Sequence, residues 1–306
     1  MFAAPGWLDE LSLGVDGPPW LAMGLSRCQP ADWLLVDEHR SEDLAERRRL
    51  LADRHDEVFA AQPGTEAAGE EVLDLIRTWL ARHPSDLASD GGGEDLAAAA
   101  DVHPLEVAGR LVQEDLCLMA RHGPVHHLDA ACLCFPSHWR LAEKIGRSAA
   151  ALHGPVPRYD EELAVRVDRY LDRLRPHTIA QRRNWSVHDA PDLFAPWPPE
   201  TVRALDIDDV AAGLWLRSER QTLRRLPLSG AVLFTIRVQQ APFGVLAGRP
   251  DVAARFAVRL ENQPLELTAM NGLTAYRSPV LSWLRRISGE RSPALADRPR
   301  SDPPNR

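Results

Sequence analysis

A histidine followed at once by a proline-rich segment is the first feature of this sequence that could carry chemistry. His153 stands at the end of a predicted helix, immediately before Gly154-Pro155-Val156-Pro157. The helix would present the imidazole rigidly, and the two prolines restrict the backbone that follows. A well-fixed imidazole suits ligation of an iron ion. The alternative is a histidine that interacts with the C-terminal end of the helix dipole.

A strand predicted over 215–226 carries polar side chains on both of its faces. Side chains alternate along a strand, so Glu219 and Arg220 point in opposite directions. A strand within a sheet buries at least one face, so these groups must be partnered or line a cavity. In a cavity, a glutamate and an arginine could bind an amine and polarise bound dioxygen. A cross-strand salt-bridge ladder is the alternative.

Arginines crowd the region after residue 180, at positions Arg182, Arg183, Arg217, Arg220, Arg224 and Arg225. One interpretation is a partly solvated face of a sheet, since charge clusters are usually surface features. The other interpretation is a set of arginines around an anionic cofactor.

The composition is that of a soluble globular protein. The chain has 306 residues, 44% of them hydrophobic, and a formal net charge of -8. The acidic balance disfavours a large nucleic-acid surface. No apolar run of about 18 residues could span a membrane, and the N-terminus lacks the features of a secretory signal. We therefore expect a cytoplasmic protein with no nucleic-acid or membrane partner.

Familiar catalytic motifs are absent from the sequence. There is no P-loop, dinucleotide-binding fingerprint, GxSxG elbow or HExxH zinc motif. The four cysteines form no CxxC pair and no CxxCH motif. This excludes a zinc knuckle, a thioredoxin-like motif and covalent c-type haem attachment.

The elements that must position these residues follow from the hydrophobic periodicity. Helices are predicted over 43–59, 65–83, 137–152, 161–175, 251–259 and 279–287. Strands are predicted over 110–119, 127–135, 181–188, 215–226 and 231–239. This order predicts an α+β fold, an antiparallel β-sheet with helices packed around it and an N-terminal helical extension. Two strands, a helical insert and three strands is also the order of a PAS sheet.

Several motifs follow one another along this chain in a fixed order. They are QEDLCLM (113–119), LCFPSHW (133–139), EKIG (143–146), LHGPVP (152–157), RNWS (183–186), RSERQTLRRLP (217–227) and AVLFTIR (231–237). Upstream, Asp32-Trp33 and the ERRRLL stretch (46–51) belong to the same set, so the motifs cover about residues 18–285. At this order and spacing they resemble the haem-dependent oxidative N-demethylase family.

The resemblance implies a PAS-type domain that binds haem b. In that family the haem protein oxidises dimethylamine with dioxygen, using NAD(P)H electrons that arrive through separate flavin and iron–sulfur partners. This sequence has no flavin motif and no cysteine cluster for a [2Fe–2S] centre. The implied activity is a haem-dependent monooxygenase reaction on a small amine substrate, with a separate reductase protein as partner. A PAS-type haem sensor of gas or redox state, without turnover, is the alternative.

The resemblance also implies roles for individual residues. In PAS haem sensors the iron ligand precedes the last three strands, which indicates His153, with His138 as the runner-up. Glu219 and Arg220 lie on a later strand, where such sensors place groups that face the bound gas. At most one of them can reach the distal side of the iron. Three basic residues are candidate partners for the haem propionates because of their charge: Lys144, Arg183 and Arg225.

The composition and the order of elements, together with the resemblance for the haem-binding core, suggest a division of the chain. We expect an N-terminal arm and helical extension (1–100), a PAS-like haem-binding core (101–245), C-terminal helices packed on the core (246–291) and a disordered tail (292–306).

Overall fold

One antiparallel sheet organises the protein. The computed structural model describes residues 4–13, 23–84, 101–154, 157, 159, 163–198 and 204–289. Within these ranges the strands are β1 (Ser26–Cys28), β2 (Phe59–Ala61), β3 (Asp115–His122), β4 (Val125–Cys132), β5 (Ile179–His188), β6 (Trp215–Arg225) and β7 (Val232–Pro242). They lie side by side in the order β1-β5-β6-β7-β3-β4-β2. The sheet and its helices confirm the α+β class. The predicted disordered tail lies outside the described residues.

Helices precede, interrupt and follow the sheet strands. They are α1 (Arg40–Asp53), α2 (His55–Val58), α3 (Glu66–Arg82), α4 (Pro104–Gly109), α5 (Ala149–Leu152), α6 (Ala164–Arg173), α7 (Val210–Gly213), α8 (Pro250–Asn262), α9 (Leu265–Met270) and α10 (Arg277–Ser288). In the described part of the chain, no helix combines the length and the apolar character that a membrane crossing requires.

The hairpin of β6 and β7 is the longest pairing in the sheet. Trp215 pairs with Pro242 at one end, and Arg225 pairs with Val232 at the other. The turn between the strands places Gly230 at a φ of 72°, a conformation that favours glycine. Pairing with β7 along the whole length of β6 therefore fixes which of its side chains point to each face of the sheet.

The two faces of the sheet are covered by different parts of the chain. The front face, which carries Leu223 and Ile236, packs against α5, α6 and residues 133–145. The back face, which carries Leu116 and Leu233, packs against α3, α4 and the segment around Trp33. Beyond that, at the far end of the sheet, the N-terminal residues 7–13 and the C-terminal helices form a further apolar cluster.

The prediction of a helix over 137–152 is wrong. A 3-10 turn at Leu141–Glu143 and the four-residue helix α5 replace it. His138 and Gly146 have φ angles of 55° and 75°, which a right-handed helix cannot include. The side chain of Ser148 caps α5 instead. The front face is thus covered by an irregular segment, which exposes more backbone carbonyls than a helix would.

Candidate functional site

Four polar side chains form a continuous row across the front face of β5 and β6. We call Arg182, Gln221, Glu219 and Arg217 the polar row. Arg182 Nε donates to Gln221 Oε1 at 2.7 Å, and Gln221 Nε2 donates to Glu219 Oε2 at 3.1 Å. Glu219 Oε1 lies 3.9 Å from Arg217 Nε. The row therefore holds a single carboxylate between two guanidinium groups.

Arg217 forms the rigid end of the polar row. Its side chain has no exposed area, and its Nη atoms donate to the carbonyls of Phe135 (2.5 Å), Pro136 (3.3 Å) and Leu193 (3.1 Å). Its Nε has no hydrogen-bond partner within the described residues. Burial lowers the pKa of Arg217, and the charge of Glu219 partly opposes this. Carbonyl dipoles, rather than a close carboxylate, hold this buried cation in place.

A buried ion pair anchors the backbone beside two of the carbonyls that Arg217 uses, those of Phe135 and Pro136. Arg47 Nη1 donates to Asp115 Oδ1 at 2.7 Å, and both side chains are fully buried. Asp115 also accepts hydrogen bonds from the backbone amides of Cys134 (2.7 Å) and Phe135 (3.1 Å). The chain turns at this point toward the front face. The Arg47–Asp115 pair therefore anchors, through the backbone, the end of the polar row.

His153 lies beside the other end of the row. Its Nδ1 is 2.8 Å from the carbonyl oxygen of Ala149, which fixes the ring proton on Nδ1 and leaves the lone pair on Nε2. Its ring stacks on Tyr159, with ring centroids 4.4 Å apart. Burial lowers the pKa of His153, the Ala149 hydrogen bond opposes this, and the charges of Arg182 and Lys144 add to it. The result is a neutral, oriented imidazole, the form that binds a metal ion.

His138, the second candidate ligand, lies beside Arg217. Its ring stacks on His188 with centroids 4.6 Å apart. Burial and the charge of Arg217 lower the pKa of His138, and the same causes bring the pKa of His188 to about 3. His188 Nε2 lies 3.1 Å from the hydroxyls of both Ser137 and Ser186. Both candidate ligands thus belong to the front face, near opposite ends of the polar row.

Two of the predicted propionate partners, Lys144 and Arg225, donate to backbone carbonyls, and their role toward a propionate stays a prediction. Lys144 Nζ donates to the carbonyl of Leu152, at the end of α5. Arg225 donates to the carbonyls of Leu174 and Leu171, at the end of α6. Cations at these positions stabilise the C-terminal ends of both helices.

The remaining predicted residues lie on the back face. Arg220 donates to the carbonyl of Trp33 at 3.1 Å, and Arg183 contacts the carboxylate of Glu10 at 2.9 Å. The sequence-based expectation that Glu219 and Arg220 point apart is confirmed by the register of β6. Of this pair, Glu219 alone shares a face with His153.

Several site residues carried no distinct role in the sequence-based interpretation. Tyr159 and His188 belong to no recognised motif, and only the fold brings their rings onto the two candidate ligands. Arg182 and Arg217 were visible as members of the arginine cluster. Their alternation with Arg183 and Ser218 separated the two faces, but it did not indicate which face holds the site.

Residues 24–281 match the family model described as haem-dependent oxidative N-demethylase, alpha subunit-like. The match spans most of the 306 residues and defines a haem-dependent oxidoreductase. The chain belongs to the haem-dependent oxidative N-demethylase alpha-subunit-like family. Membership indicates haem dependence and an oxidative N-demethylase-like function.

Proposed function

We propose that this chain binds haem b through His153 and oxidises a small amine with dioxygen, in a monooxygenase reaction. Family membership supports haem dependence and the reaction class. One observation carries the choice of ligand: the His153 imidazole is partly buried, its pKa is lowered, and its Nδ1 proton is held by the carbonyl of Ala149. A hydrogen bond of this kind orients a metal-binding histidine and leaves Nε2 for the iron.

The fold supports a PAS-like haem core. β3 and β4 precede the irregular segment and α6, and β5, β6 and β7 follow them. This is the order of two strands, an insert and three strands. The insert packs on the front face and carries His153, so a porphyrin between insert and sheet would meet apolar side chains such as Leu223 and Phe234. These residues fit a haem better than a hydrated metal ion, because they offer one imidazole amid apolar surface.

Glu219 is the residue we propose to hold the substrate. Its side chain is 19% exposed and lies on the same face as His153. A carboxylate there can accept charge-assisted hydrogen bonds from an ammonium group and can take up a proton from it. When bound, haem would supply the centre for oxygen reduction and amine oxidation. Arg220, packed on the back face, supports the fold and not this step.

The electrons must come from elsewhere, because this sequence contains no flavin motif and no iron–sulfur cysteine cluster. We propose that a separate reductase protein delivers electrons from NAD(P)H, as the family resemblance implies.

Haem reconstitution of the purified chain tests the proposal directly. The wild-type protein should develop a Soret band, and His153→Ala should lose the haem or retain it weakly. His138→Ala is the matched control, since that ring also lies on the front face, and it should keep the spectrum. A protein without a Soret band would refute haem binding, and loss only in His138→Ala would move the ligand. If reduced holoprotein consumes dioxygen no faster with any amine, a haem sensor replaces the enzyme.

A further inference from the structure

The polar row carries more positive charge than its own carboxylate can balance. Arg182 and Arg217 flank one carboxylate, that of Glu219. Arg182 donates through Nε to the neutral amide of Gln221. Its two Nη groups have no hydrogen-bond partner among the residues that the structure describes. Arg217 adds a fully buried guanidinium, and its Nε also has no hydrogen-bond partner within the described ranges.

Two other buried guanidinium groups, those of Arg237 and Arg47, are matched by close carboxylates. On the back face, Arg237 lies 2.7 Å from Asp37 and 2.9 Å from Asp43. Arg47 is paired with Asp115 at 2.7 Å. A buried charge without a counter-ion is costly, so such pairing is expected. Arg182 departs from this arrangement in the half-buried row beside the candidate iron ligand.

The surroundings of Arg182 indicate what it could bind. Burial lowers the pKa of Arg182, while the charges of Glu219 and Tyr159 oppose that shift. The same guanidinium is close enough to His153 to lower the pKa of its imidazole. The two Nη groups of a planar guanidinium, which have no partner within the described ranges, match the two oxygens of a carboxylate. The Arg182 guanidinium thus interacts electrostatically with both the proposed ammonium-binding residue and the proposed iron ligand.

We propose that Arg182 binds a carboxylate on the front face, with Arg217 contributing positive charge. This inference rests on the proposed haem function and extends it. The carboxylate can come from a haem propionate or from a substrate that carries both an ammonium and a carboxylate, such as an N-methylated amino acid. In the second case, Glu219 would hold the ammonium and Arg182 would hold the carboxylate of one zwitterionic molecule.

The first experiment measures how much the haem carboxylates, as distinct from the rest of the porphyrin, contribute to binding. Haem and haem dimethyl ester are titrated into apoprotein of the wild type, Arg182→Gln and Arg182→Lys, and binding is followed by the Soret band. If a propionate is the ligand, the wild type should bind haem about tenfold more tightly than the ester, the effect of one charge-assisted contact. Arg182→Gln should lose this preference, and Arg182→Lys should keep part of it. The control Arg255→Gln removes an exposed charge on α8 and should keep the full preference.

The second experiment separates a substrate carboxylate from an amine alone. Holoprotein is titrated with N-methylglycine and with dimethylamine, and the shift of the haem spectrum is recorded. If the substrate supplies the carboxylate, the wild type should bind N-methylglycine about tenfold more tightly than dimethylamine. Arg182→Gln should bind the two amines with similar affinity.

A preference that depends on Arg182 in either titration supports the carboxylate site and identifies its source. Haem binding without any Arg182-dependent preference for a carboxylate would overturn the inference and leave the proposed function intact. A protein that binds neither porphyrin would overturn the proposed function, and the carboxylate site with it.

Discussion

Glu219 is the residue with the most specific consequence for substrate binding. Glu219→Gln keeps the size of the side chain but removes the charge that would bind an ammonium group. A hydrogen bond to a charged group contributes about 1.5–3 kcal/mol, so dimethylamine should bind roughly tenfold to a hundredfold more weakly. Spectral titration of the holoprotein measures this. Asn184, the exposed cross-strand neighbour of Glu219, provides the control Asn184→Ala, which should bind the amine as the wild type does. Equal affinity in Glu219→Gln would remove Glu219 from the site.

His126 should make the stability of the protein depend on pH. Its side chain is 1% exposed, and neither ring nitrogen has a hydrogen-bond partner within the described residues. Burial lowers its pKa, although the charge of Asp172 opposes this. In the unfolded chain a histidine takes up its proton near pH 6.5. The stabilisation is therefore complete above that pH and is lost as the pH falls toward the folded pKa.

Urea unfolding at pH 7.5 and at pH 5.5 tests the His126 prediction. The wild type should lose free energy of unfolding between these values, and His126→Leu should lose less, because leucine cannot be protonated. An identical loss in both proteins would show that other groups cause the pH dependence.

At the residue scale, the sequence predicted which way a side chain points from its strand better than it predicted what that side chain contacts. Alternation along β6 was enough to state that Glu219 and Arg220 point apart. It could not show which side chain meets His153, because that depends on what covers each face. Arg220 is enclosed by the segment around Trp33, which precedes it by almost two hundred positions. Contacts over such separations leave no local pattern.

At the scale of elements, the pair of Arg47 on α1 and Asp115 on β3 should be essential to the fold. Arg47→Met would leave a carboxylate buried beside two backbone amides. Removing one partner of a buried ion pair costs about 3–5 kcal/mol, so the free energy of unfolding should fall by about that amount. Chemical denaturation measures the change. Arg49, on the same helix, forms an exposed pair with Glu46, and the control Arg49→Met should change little. Near-normal stability of Arg47→Met would refute the anchoring role.

Regular elements were predictable where the hydrophobic period is long, as in α3 and in the β6–β7 hairpin. The segment over 137–152 was not predictable in this way. Its apolar residues have a helical spacing, but they pack against the sheet from an irregular backbone. His138 adopts a left-handed φ, which ends any right-handed helix there, and its ring stacks on His188. Gly146, within the predicted helix, is a residue type that favours a break in a helix.

At the scale of the whole molecule, residues 7–13 and the helices α8 and α10 pack in one apolar cluster. Leu8 is fully buried and packs with residues of β5, α8 and α10. Leu8→Ala should lower the free energy of unfolding by about 2–5 kcal/mol, through lost burial and the cavity left behind. Thermal or urea unfolding measures it. Leu228→Ala, at a side chain that is 88% exposed, is the control and should have little effect. A neutral Leu8→Ala would show that the N-terminal residues are dispensable for stability.

The family was identifiable from the sequence because its motifs stay in order along the chain, and the family match over residues 24–281 confirms this. The overall α+β class followed from the order of elements. The closure of the sheet edges by β1 and β2 did not, because strands of three residues have no periodicity to detect. These edge strands come from residues before the first long strand. The proposed division at residue 100 remains a prediction.

The unequal ends of the polar row have a consequence for selectivity. The Nη atoms of Arg217 donate to carbonyls, whereas those of Arg182 have no hydrogen-bond partner in the described part of the chain, so the two ends of the row differ in the donors they offer a ligand. A ligand with opposite charges at its two ends would be admitted in one direction only. The carbon–nitrogen bond that faces the oxidant would then be selected by the sign of the charges, before the shape of the molecule is sensed. On this view, regiochemistry is determined by the order of residues along two neighbouring strands.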